Sequence, residues 1–290
     1  MRGQWVGTVL TLAAISSVQL GSAVSKAILD RIDPAGLTFA RLAIAAAVLV
    51  IIARPRVRRW DRRVWLPVIA LGASLAGMNW SFYMSLERIP LGVAVAAELM
   101  GPLVLSMSLT RRRSDSVWVG LAVAGALVLG LQSLRGGLDL VGLLFALLAG
   151  GFWAAYIVSS QRVGSRVPGV GGLAIAMAIG ALLIAPLGLL RATAALAADS
   201  SILGWIMLVA LLSSVVTYGL EMHALRLLPA RIFGVLLAVE PAVAAMYGYL
   251  LIGERLGRGE WLAIVLVIAA SIGITWTARR QEPAPVDGTQ

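Results

Sequence analysis

The stretch Val93–Val104 reads VAVAAELMGPLV, and it lies inside an apolar run from Leu91 to Leu109. It contains a carboxylate, Glu98, and a Gly101-Pro102 pair, and each of these features is costly in an apolar helix. A proline inside a helix removes the hydrogen bond to the carbonyl four residues earlier, which for Pro102 is the carbonyl of Glu98. The stretch therefore predicts an interrupted helix that does more than cross an apolar layer.

Composition restricts the chain to the integral membrane class. Of its 290 residues, 60% are hydrophobic and only 13% are charged, and the mean hydropathy is +0.91. Soluble domains carry roughly 25% charged residues, so this chain cannot cover a globular surface with charge. The sequence has no cysteine, which excludes disulfides, iron–sulfur clusters and cysteine zinc sites.

Ten apolar runs of about 18–22 residues follow one another, and each is long enough to cross a hydrocarbon core of ~30 Å as a helix. They lie near residues 5–25, 36–53, 64–85, 91–110, 116–133, 139–160, 170–190, 202–223, 231–251 and 260–277. They lack the polar and apolar alternation of barrel strands. We therefore predict an all-α integral membrane protein with ten transmembrane helices. A signal peptide is the alternative for the first run, but that run has a counterpart in the repeat described below.

Arginines are concentrated in alternate connectors. The segment 54–63 holds six arginines and 111–113 holds three, and both fall on the side of the amino terminus when ten helices are counted. This positive-inside pattern predicts cytoplasmic termini and a multi-pass protein of the cytoplasmic (inner) membrane. It indicates that the net charge of +10 serves to bind anionic membrane lipids rather than nucleic acid. The polar segment 279–290 is predicted to be a disordered cytoplasmic tail.

The chain also shows signs of duplication. Ser85–Pro90 resembles Ala224–Pro229, and at the same offset of 139 residues Pro102 falls on Pro241. We predict two five-helix repeats, over residues 1–135 and 136–278. Because five is odd, the second repeat is inverted relative to the first. Inverted repeats are typical of secondary transporters, which alternate access around a site near the middle of the membrane.

Acidic residues within the predicted spans mark the candidate site. Glu98 and Glu240 both fall near the middle of a span, and each lies close to a helix-breaking proline, Pro102 or Pro241. Paired interruptions in corresponding helices point to a substrate site, and burial favours the neutral form of a carboxyl group, so either glutamate could exchange a proton. The alternative is a pair of structural kinks. The predicted helix breaks are Gly101, Pro102 and Pro241.

Further polar residues complete the predicted substrate- and proton-binding set. Glu221 is either a gate or proton residue or an acid at the membrane interface. Arg41 either extends to the headgroups or faces the bundle, as a counter-ion to Glu98 or a clamp for a substrate carboxylate. The uncharged candidates, for which an interhelical hydrogen bond is the alternative role, are Gln19, Asn79, Tyr83, Tyr156 and Tyr218.

No metal or cofactor is predicted. His223 is the only histidine and has no partner at metal-ligand spacing, and no phosphate-binding glycine loop ends in Gly-Lys-Ser or Gly-Lys-Thr. Transport by such a chain would draw its energy from a gradient.

Several short motifs resemble the EamA-type drug/metabolite transporters, and more narrowly their threonine/homoserine exporter (RhtA-like) branch. The motifs are Val18-Gln19, Ser25-Lys26, Gly77–Tyr83, Glu98 with Gly101-Pro102, Leu220–Met222, Glu240–Ala245 and Gly253-Glu254. The resemblance implies an exporter of small neutral amino acids that works by proton exchange. We therefore expect a transporter without a cofactor, and not an enzyme.

Other functions stay open at this point. Within the transporter class the rivals are an importer and an EamA-type carrier for another small metabolite or a drug. A channel, a membrane enzyme and a non-transporting scaffold belong to different classes. An enzyme needs a nucleophile near a base, whereas the only histidine lies near the membrane boundary. The sequence leaves the exact substrate and the oligomeric state undetermined.

Overall fold

The computed structural model describes residues 2–109, 116–134, 137–228 and 230–278, and these residues form helices without a β-strand. The helices are α1 (Arg2–Ala27), α2 (Pro34–Ala53), α3 (Arg62–Leu86), α4 (Leu91–Glu98), α5 (Met100–Leu109), α6 (Ser116–Leu134), α7 (Leu140–Gly164), α8 (Gly171–Ala198), α9 (Ile202–Ala210), α10 (Thr217–Leu227), α11 (Ala230–Leu237), α12 (Glu240–Tyr247) and α13 (Arg258–Ala278). Two π-helical segments accompany them, π1 (Leu211–Val216) and π2 (Gly248–Ile252). The predicted tail 279–290 lies outside the described residues.

Seven helical stretches within this part of the chain are long and apolar enough to cross a membrane. They are Gln4–Ala27, Pro34–Ala53, Arg62–Leu86, Leu140–Gly164, Gly171–Ala198, Ile202–Glu221 and Val235–Ile252. Leu91–Leu105 and Gly120–Gln132 are shorter apolar helices. The predicted all-α membrane class is therefore confirmed, whereas the count of ten spans, the inverted repeat and the side of the termini stay predictions.

Aspartates fix where several helices begin. The side chains of Asp33, Asp61 and Asp139 accept hydrogen bonds from backbone N–H groups in the first turns of α2, α3 and α7, at 2.8, 3.1 and 2.8 Å. A capping side chain satisfies one of the backbone donors that a helix start leaves unpaired. These caps keep the polar connectors at the two ends of the bundle.

The bundle is held together by close backbone packing. Helix α2 packs along α8, α3 packs along α7 and α8, α1 packs along α10, and α6 packs along α13. Glycines allow these approaches: a Cβ on Gly180 of α8 would lie 2.9 Å from the carbonyl oxygen of Gly72 in α3. Small residues at helix contacts drive association where lipid replaces water. Leucines such as Leu182 and Leu190 are exposed on the outside, as expected for a surface that faces lipid.

Two of the helical stretches are interrupted next to an acidic residue. Helix α4 ends at Glu98, Leu99 forms a turn, and α5 begins one residue later. In the second stretch, Ala238 and Val239 form the turn and α12 begins at Glu240, with Pro241 in its first turn. Helix α4 packs along α12, but α5 has no comparable packing along α11 in the described part of the chain. The two interrupted stretches therefore meet through α4 and α12, whereas α5 and α11 each pack on α13.

Candidate functional site

A polar cavity of about 130 Å³ lies between the two interrupted stretches. It is lined by Val18, Gln19, Ser22, Arg41, Met78, Asn79, Phe82, Val95, Glu98, Trp153, Tyr156, Ser213, Thr217, Tyr218, Glu221 and Glu240. The structure thus brings eight of the nine predicted binding residues around one space. The ninth, Tyr83, is fully buried behind the cavity wall, where its hydroxyl group contacts Arg41. Helices α6 and α13 contribute no lining residue.

Arg41 is the only cation among the lining residues, and it is only 8% exposed. One terminal nitrogen, Nη1, donates hydrogen bonds to Asn79 Oδ1 at 2.5 Å and to the Tyr83 hydroxyl at 2.7 Å. The other, Nη2, donates to the Ser213 carbonyl at 3.2 Å and to Ser214 Oγ at 3.5 Å. Arg41 therefore faces the bundle and does not extend to the headgroups. Asn79 and Tyr83 are positioning residues for its guanidinium group.

The guanidinium group has no anionic partner. Within the described residues, no carboxylate oxygen lies within 4.0 Å of an Arg41 nitrogen. Arg41 and Glu98 line the same cavity without forming an ion pair, and the predicted role of Arg41 as a counter-ion to Glu98 stays a prediction. The Arg41 Nε atom is buried without a hydrogen-bond partner. A buried charge held only by neutral groups is costly, so the site is suited to a ligand that brings an anion.

Three carboxyl groups face the same cavity. Glu98 ends α4, Glu240 begins α12, and Glu221 lies on α10. No cation of the described residues forms an ion pair with any of them. Glu240 is only 6% exposed, whereas Glu98 and Glu221 are partly exposed. Three acids around one cavity repel one another when all are ionised, which favours binding a cation or a proton among them.

Two further polar atoms at the cavity lack partners. Gln19 Oε1 and Ser213 Oγ are buried and form no hydrogen bond to another described residue. An unpaired buried donor or acceptor costs roughly 1–3 kcal/mol. A ligand with hydroxyl or amino groups could satisfy both atoms.

Ser213 is a cavity residue that was absent from the predicted set, and it is placed by the π1 segment. The Leu212 carbonyl accepts bonds from Ser17 Oγ at 2.8 Å and from Thr217 Oγ1 at 2.7 Å, which widens the turn and fixes it to α1. The Ser213 side chain lies against Gly21. The available signal was the Ser213-Ser214 pair, since hydroxyl side chains can compete for helix carbonyls.

The cavity wall between the polar groups is apolar and aromatic. Met78 and Phe82 come from α3, Trp153 and Tyr156 come from α7, and Tyr218 comes from α10. Trp153 was also absent from the predicted set. A cavity with an apolar wall and a few convergent polar groups is the usual form of a small-molecule site.

The carbonyl that Pro102 leaves unpaired is covered by another helix. A Cβ on Gly150 of α7 would overlap the Glu98 carbonyl oxygen, and a Cβ on Gly101 would overlap the Gly150 backbone. The two backbones are thus in direct contact at the α4–α5 break. Such Cα–H···O contacts recur between closely packed helices. The break therefore presents the Glu98 carboxyl group to the cavity and its carbonyl to α7.

The described residues contain no cluster of histidine or carboxylate side chains that could hold a metal ion. His223 is exposed, and its Nδ1 atom is 2.8 Å from the Gly219 carbonyl of the same helix. The polar groups that line the site are hydrogen-bonding and charged side chains.

A multi-pass helical membrane bundle with a polar cavity between two interrupted helices is the architecture of a membrane transporter. The comparisons with known proteins agree. The family model described as "EamA-like transporter family" matches residues 140–276. The chain belongs to this family, so the predicted family and transporter class are confirmed. Because these proteins are transporters, the chain is not an enzyme.

Relatives cover nearly the whole chain. It is 41% identical over 279 residues to the "Threonine/homoserine exporter RhtA" of Escherichia coli (strain K12), covering 96% of this chain and 94% of that protein. The protein of the same name from Salmonella typhimurium (strain LT2) is 40% identical over 278 residues, with the same coverage. A crystal structure that is 22% identical, with a TM-score of 0.61, covers 96% of this chain and 99% of its own. That structure supports the fold alone.

Proposed function

We propose that this protein exports small neutral amino acids of the threonine and homoserine kind across the cytoplasmic membrane in exchange for protons. The names of its near full-length relatives support the substrate class. The single observation that carries the proposal is the cavity itself. It holds one guanidinium group and three carboxyl groups, none of which forms an ion pair with another of the described residues.

A zwitterion matches this distribution of charge. Its carboxylate would bind Arg41, whose Nε atom is unpaired, through a charge-assisted hydrogen bond. Its ammonium group would bind Glu98, which is partly open to the cavity. Gln19 and Ser213 would satisfy polar groups of the substrate. Tyr156, Tyr218 and Glu221 would line the path toward the end of the bundle that contains α5 and α11.

We assign the exchanged proton to Glu240. Leaving a carboxylate buried without a cation costs several kcal/mol. The N-terminus of α12 favours an ionised Glu240 by at most ~2 kcal/mol, which is the smaller effect. Glu240 is also less exposed than Glu98. Protonation of Glu240 would then compete with substrate binding, because both the proton and the substrate ammonium group neutralise the negative charge of the cavity.

The proposal includes the predicted topology. Ten transmembrane helices would form inverted repeats over residues 1–135 and 136–278 in the inner membrane. The end of the bundle with Lys26, Asp33, Asp139, Asp199 and Glu254, here called the ion-pair face, would face outward. The opposite end, with Arg54–Arg63, would face the cytoplasm, together with both termini, and contact anionic lipids. The breaks at Gly101, Pro102 and Pro241 would present the two glutamates to the substrate.

Counterflow in proteoliposomes tests the substrate class. Vesicles loaded with unlabelled threonine should take up labelled threonine and homoserine, and an imposed pH gradient should drive net movement of the same amino acids. Arg41→Met should lose this uptake, whereas Arg31→Met, which changes an exposed arginine on the ion-pair face, should retain it. Absence of threonine and homoserine counterflow in the unsubstituted protein would contradict the proposal.

A carrier for another small metabolite or a drug is the second candidate, and the aromatic wall of Phe82, Trp153 and Tyr156 favours it. The same vesicles distinguish the two. Aromatic or cationic compounds that exchange efficiently while threonine does not would support the second candidate.

A further inference from the structure

Lys26 and Glu254 form an ion pair at the ion-pair face, outside the cavity. Lys26 Nζ lies 2.5 Å from Glu254 Oε1 and donates a hydrogen bond to the Ile89 carbonyl, also at 2.5 Å. The other carboxylate oxygen, Glu254 Oε2, accepts the backbone N–H of Leu91 at 2.9 Å. The pair therefore joins three parts of the fold: the end of α1, the start of α4 and the connector after π2.

This pair is partly buried and less exposed than the other ion pairs of the described residues. Its side chains are 17% and 12% exposed. Those of Arg31–Asp199, Arg88–Asp139 and Arg191–Asp33 are between 32% and 55% exposed. Exposed pairs contribute about 0–1 kcal/mol, whereas removing one partner of a buried pair leaves a costly uncompensated charge. Lys26–Glu254 is thus the pair best able to hold a conformation.

The backbone places Glu254 over the start of α4. Gly253 has φ of 76°, a left-handed conformation that glycine adopts without strain. The turn brings Glu254 Oε2 against Gly248 and within reach of the Leu91 N–H group. Only a short connector therefore has to move to separate the pair.

An apolar seal lies between this pair and the cavity. At Gly92 the backbones of α4 and α12 touch, since a Cβ there would lie 2.7 Å from Ala245 Cβ and 2.9 Å from Ala245 Cα. Ala94 is buried in the adjoining hydrophobic cluster, against which Tyr247 packs, and Val95 lies on the cavity side of this contact. At the other end of the bundle α5 and α11 lack comparable packing among the described residues. The structure is therefore closed at the ion-pair face.

We infer that Lys26 and Glu254 are the latch of this closed face and must separate each time substrate leaves through it. The inference rests on the proposed transport function and adds two residues that do not line the substrate cavity. Separation would hydrate both charges as the face opens, which offsets the lost ion pair. Transport would then need the pair to be strong enough to close the face and weak enough to break in every cycle.

Labelling of single cysteines tests the latch, because the chain has no cysteine of its own. Val95→Cys, beneath the seal, would be exposed to a membrane-impermeant maleimide outside right-side-out vesicles. Its labelling should be at least about tenfold faster in Glu254→Gln and in Lys26→Met, a shift that corresponds to ~1.4 kcal/mol. The matched control is Asp199→Asn, which breaks an exposed pair on the same face and should leave the rate unchanged.

Two further cysteines make the result decisive. Ser200→Cys, in an exposed turn of the ion-pair face, should label in every variant and reports that this face is outside. Ala176→Cys, fully buried between α3 and α8, should stay unlabelled in a folded protein. An unchanged Val95→Cys rate would overturn the latch. Labelling of Ala176→Cys would overturn it too, because the pair would then hold the whole fold rather than one face.

Transport measured on the same vesicles separates this inference from the proposed function. Loss of threonine counterflow in the unsubstituted protein would contradict the substrate class but not the labelling result. Intact counterflow with no labelling change in Glu254→Gln or Lys26→Met would contradict the latch alone.

Discussion

The α4–α5 break and the α11–α12 break are similar in backbone but different in chemistry. In the first, Glu98 is the last residue of the helix before the turn and is partly exposed. In the second, Glu240 is the first residue of the helix after the turn and is only 6% exposed. The first break lies against the backbone of α7, whereas helix α12 of the second is tied to α1 by the Ser16–Tyr247 hydrogen bond of 2.5 Å.

This difference shows that a repeated interruption does not give its two acidic residues the same role. An acid open to the cavity can bind a substrate cation, whereas one buried without a cation is suited to gain and lose a proton. Substitutions at and around the two breaks would show whether the two glutamates have separate roles or equivalent ones.

The largest effect is expected from Glu240→Gln. The amide keeps the size of the side chain but cannot exchange a proton, so a pH gradient should no longer drive threonine transport. Counterflow without a gradient needs no net proton movement and should persist, but with a lower apparent affinity for threonine, because the amide mimics the protonated acid that competes with the substrate. Both activities are measured in proteoliposomes, and Glu98→Gln serves as the comparison. Full pH-driven transport by Glu240→Gln would show that its carboxyl group does not carry the proton.

Glu98→Gln should weaken substrate binding instead. A hydrogen bond to a charged group contributes about 1.5–3 kcal/mol, so the apparent affinity for threonine should fall about 10- to 100-fold. The concentration dependence of counterflow measures this change. Unchanged affinity would mean that the ammonium group binds elsewhere, and the two breaks would then have to exchange roles.

Gly150→Ala should disturb the first break and leave the second intact. The new methyl group would overlap the Glu98 carbonyl oxygen, and overpacking of this kind costs about 1–3 kcal/mol. The neighbouring Gly151 has no atom within 4 Å of its would-be Cβ, so Gly151→Ala is the matched control. Thermal unfolding in detergent should show a lower transition for the first variant and an equal or higher one for the second. Equal transitions would contradict the backbone contact at the break.

The smallest effect concerns Asp139, which caps α7, the helix that covers the first break. The hydrogen bond from the Gly142 N–H group and the nearby Arg88 lower the pKa of its carboxyl group. A native pKa below the unfolded value of about 4 stabilises the fold above that pH, and this contribution is lost as pH falls through the native pKa. The thermal transition of Asp139→Asn should therefore drop slightly less than that of the unsubstituted protein between neutral and strongly acidic pH. Asp30→Asn, at an exposed position, is the control, and identical pH dependence in all three proteins would contradict the role of the cap.

Much of the architecture could be predicted from the sequence because lipid imposes long apolar helices. The predicted run near 36–53 agrees with α2, which begins at Pro34 and ends at Ala53. The approximate place of the first break was also predictable, since Pro102 leaves the Glu98 carbonyl unpaired. The turn itself lies at Leu99, three residues before Pro102. The helix is therefore interrupted at the residue that follows the unpaired Glu98 carbonyl.

The remaining features depend on contacts between distant parts of the chain. Sequence periodicity does not indicate that Gly150 would cover the first break or that π1 would turn Ser213 toward Gly21. The Lys26–Glu254 pair joins residues near opposite ends of the sequence. Each residue belongs to a short motif, but neither motif indicates that the two side chains meet. The polar residues of the site could be predicted from the sequence. The residues that contact them could be identified only from the packing of the helices.

Proton release on substrate binding would show whether Glu240 carries the exchanged proton. Threonine is added to the purified protein in weakly buffered detergent solution, and the released protons are counted with a pH indicator. The unsubstituted protein should release protons as threonine saturates the site, whereas Glu240→Gln should bind threonine more weakly and release none. Binding without proton release by the unsubstituted protein, or equal release by both proteins, would contradict the account.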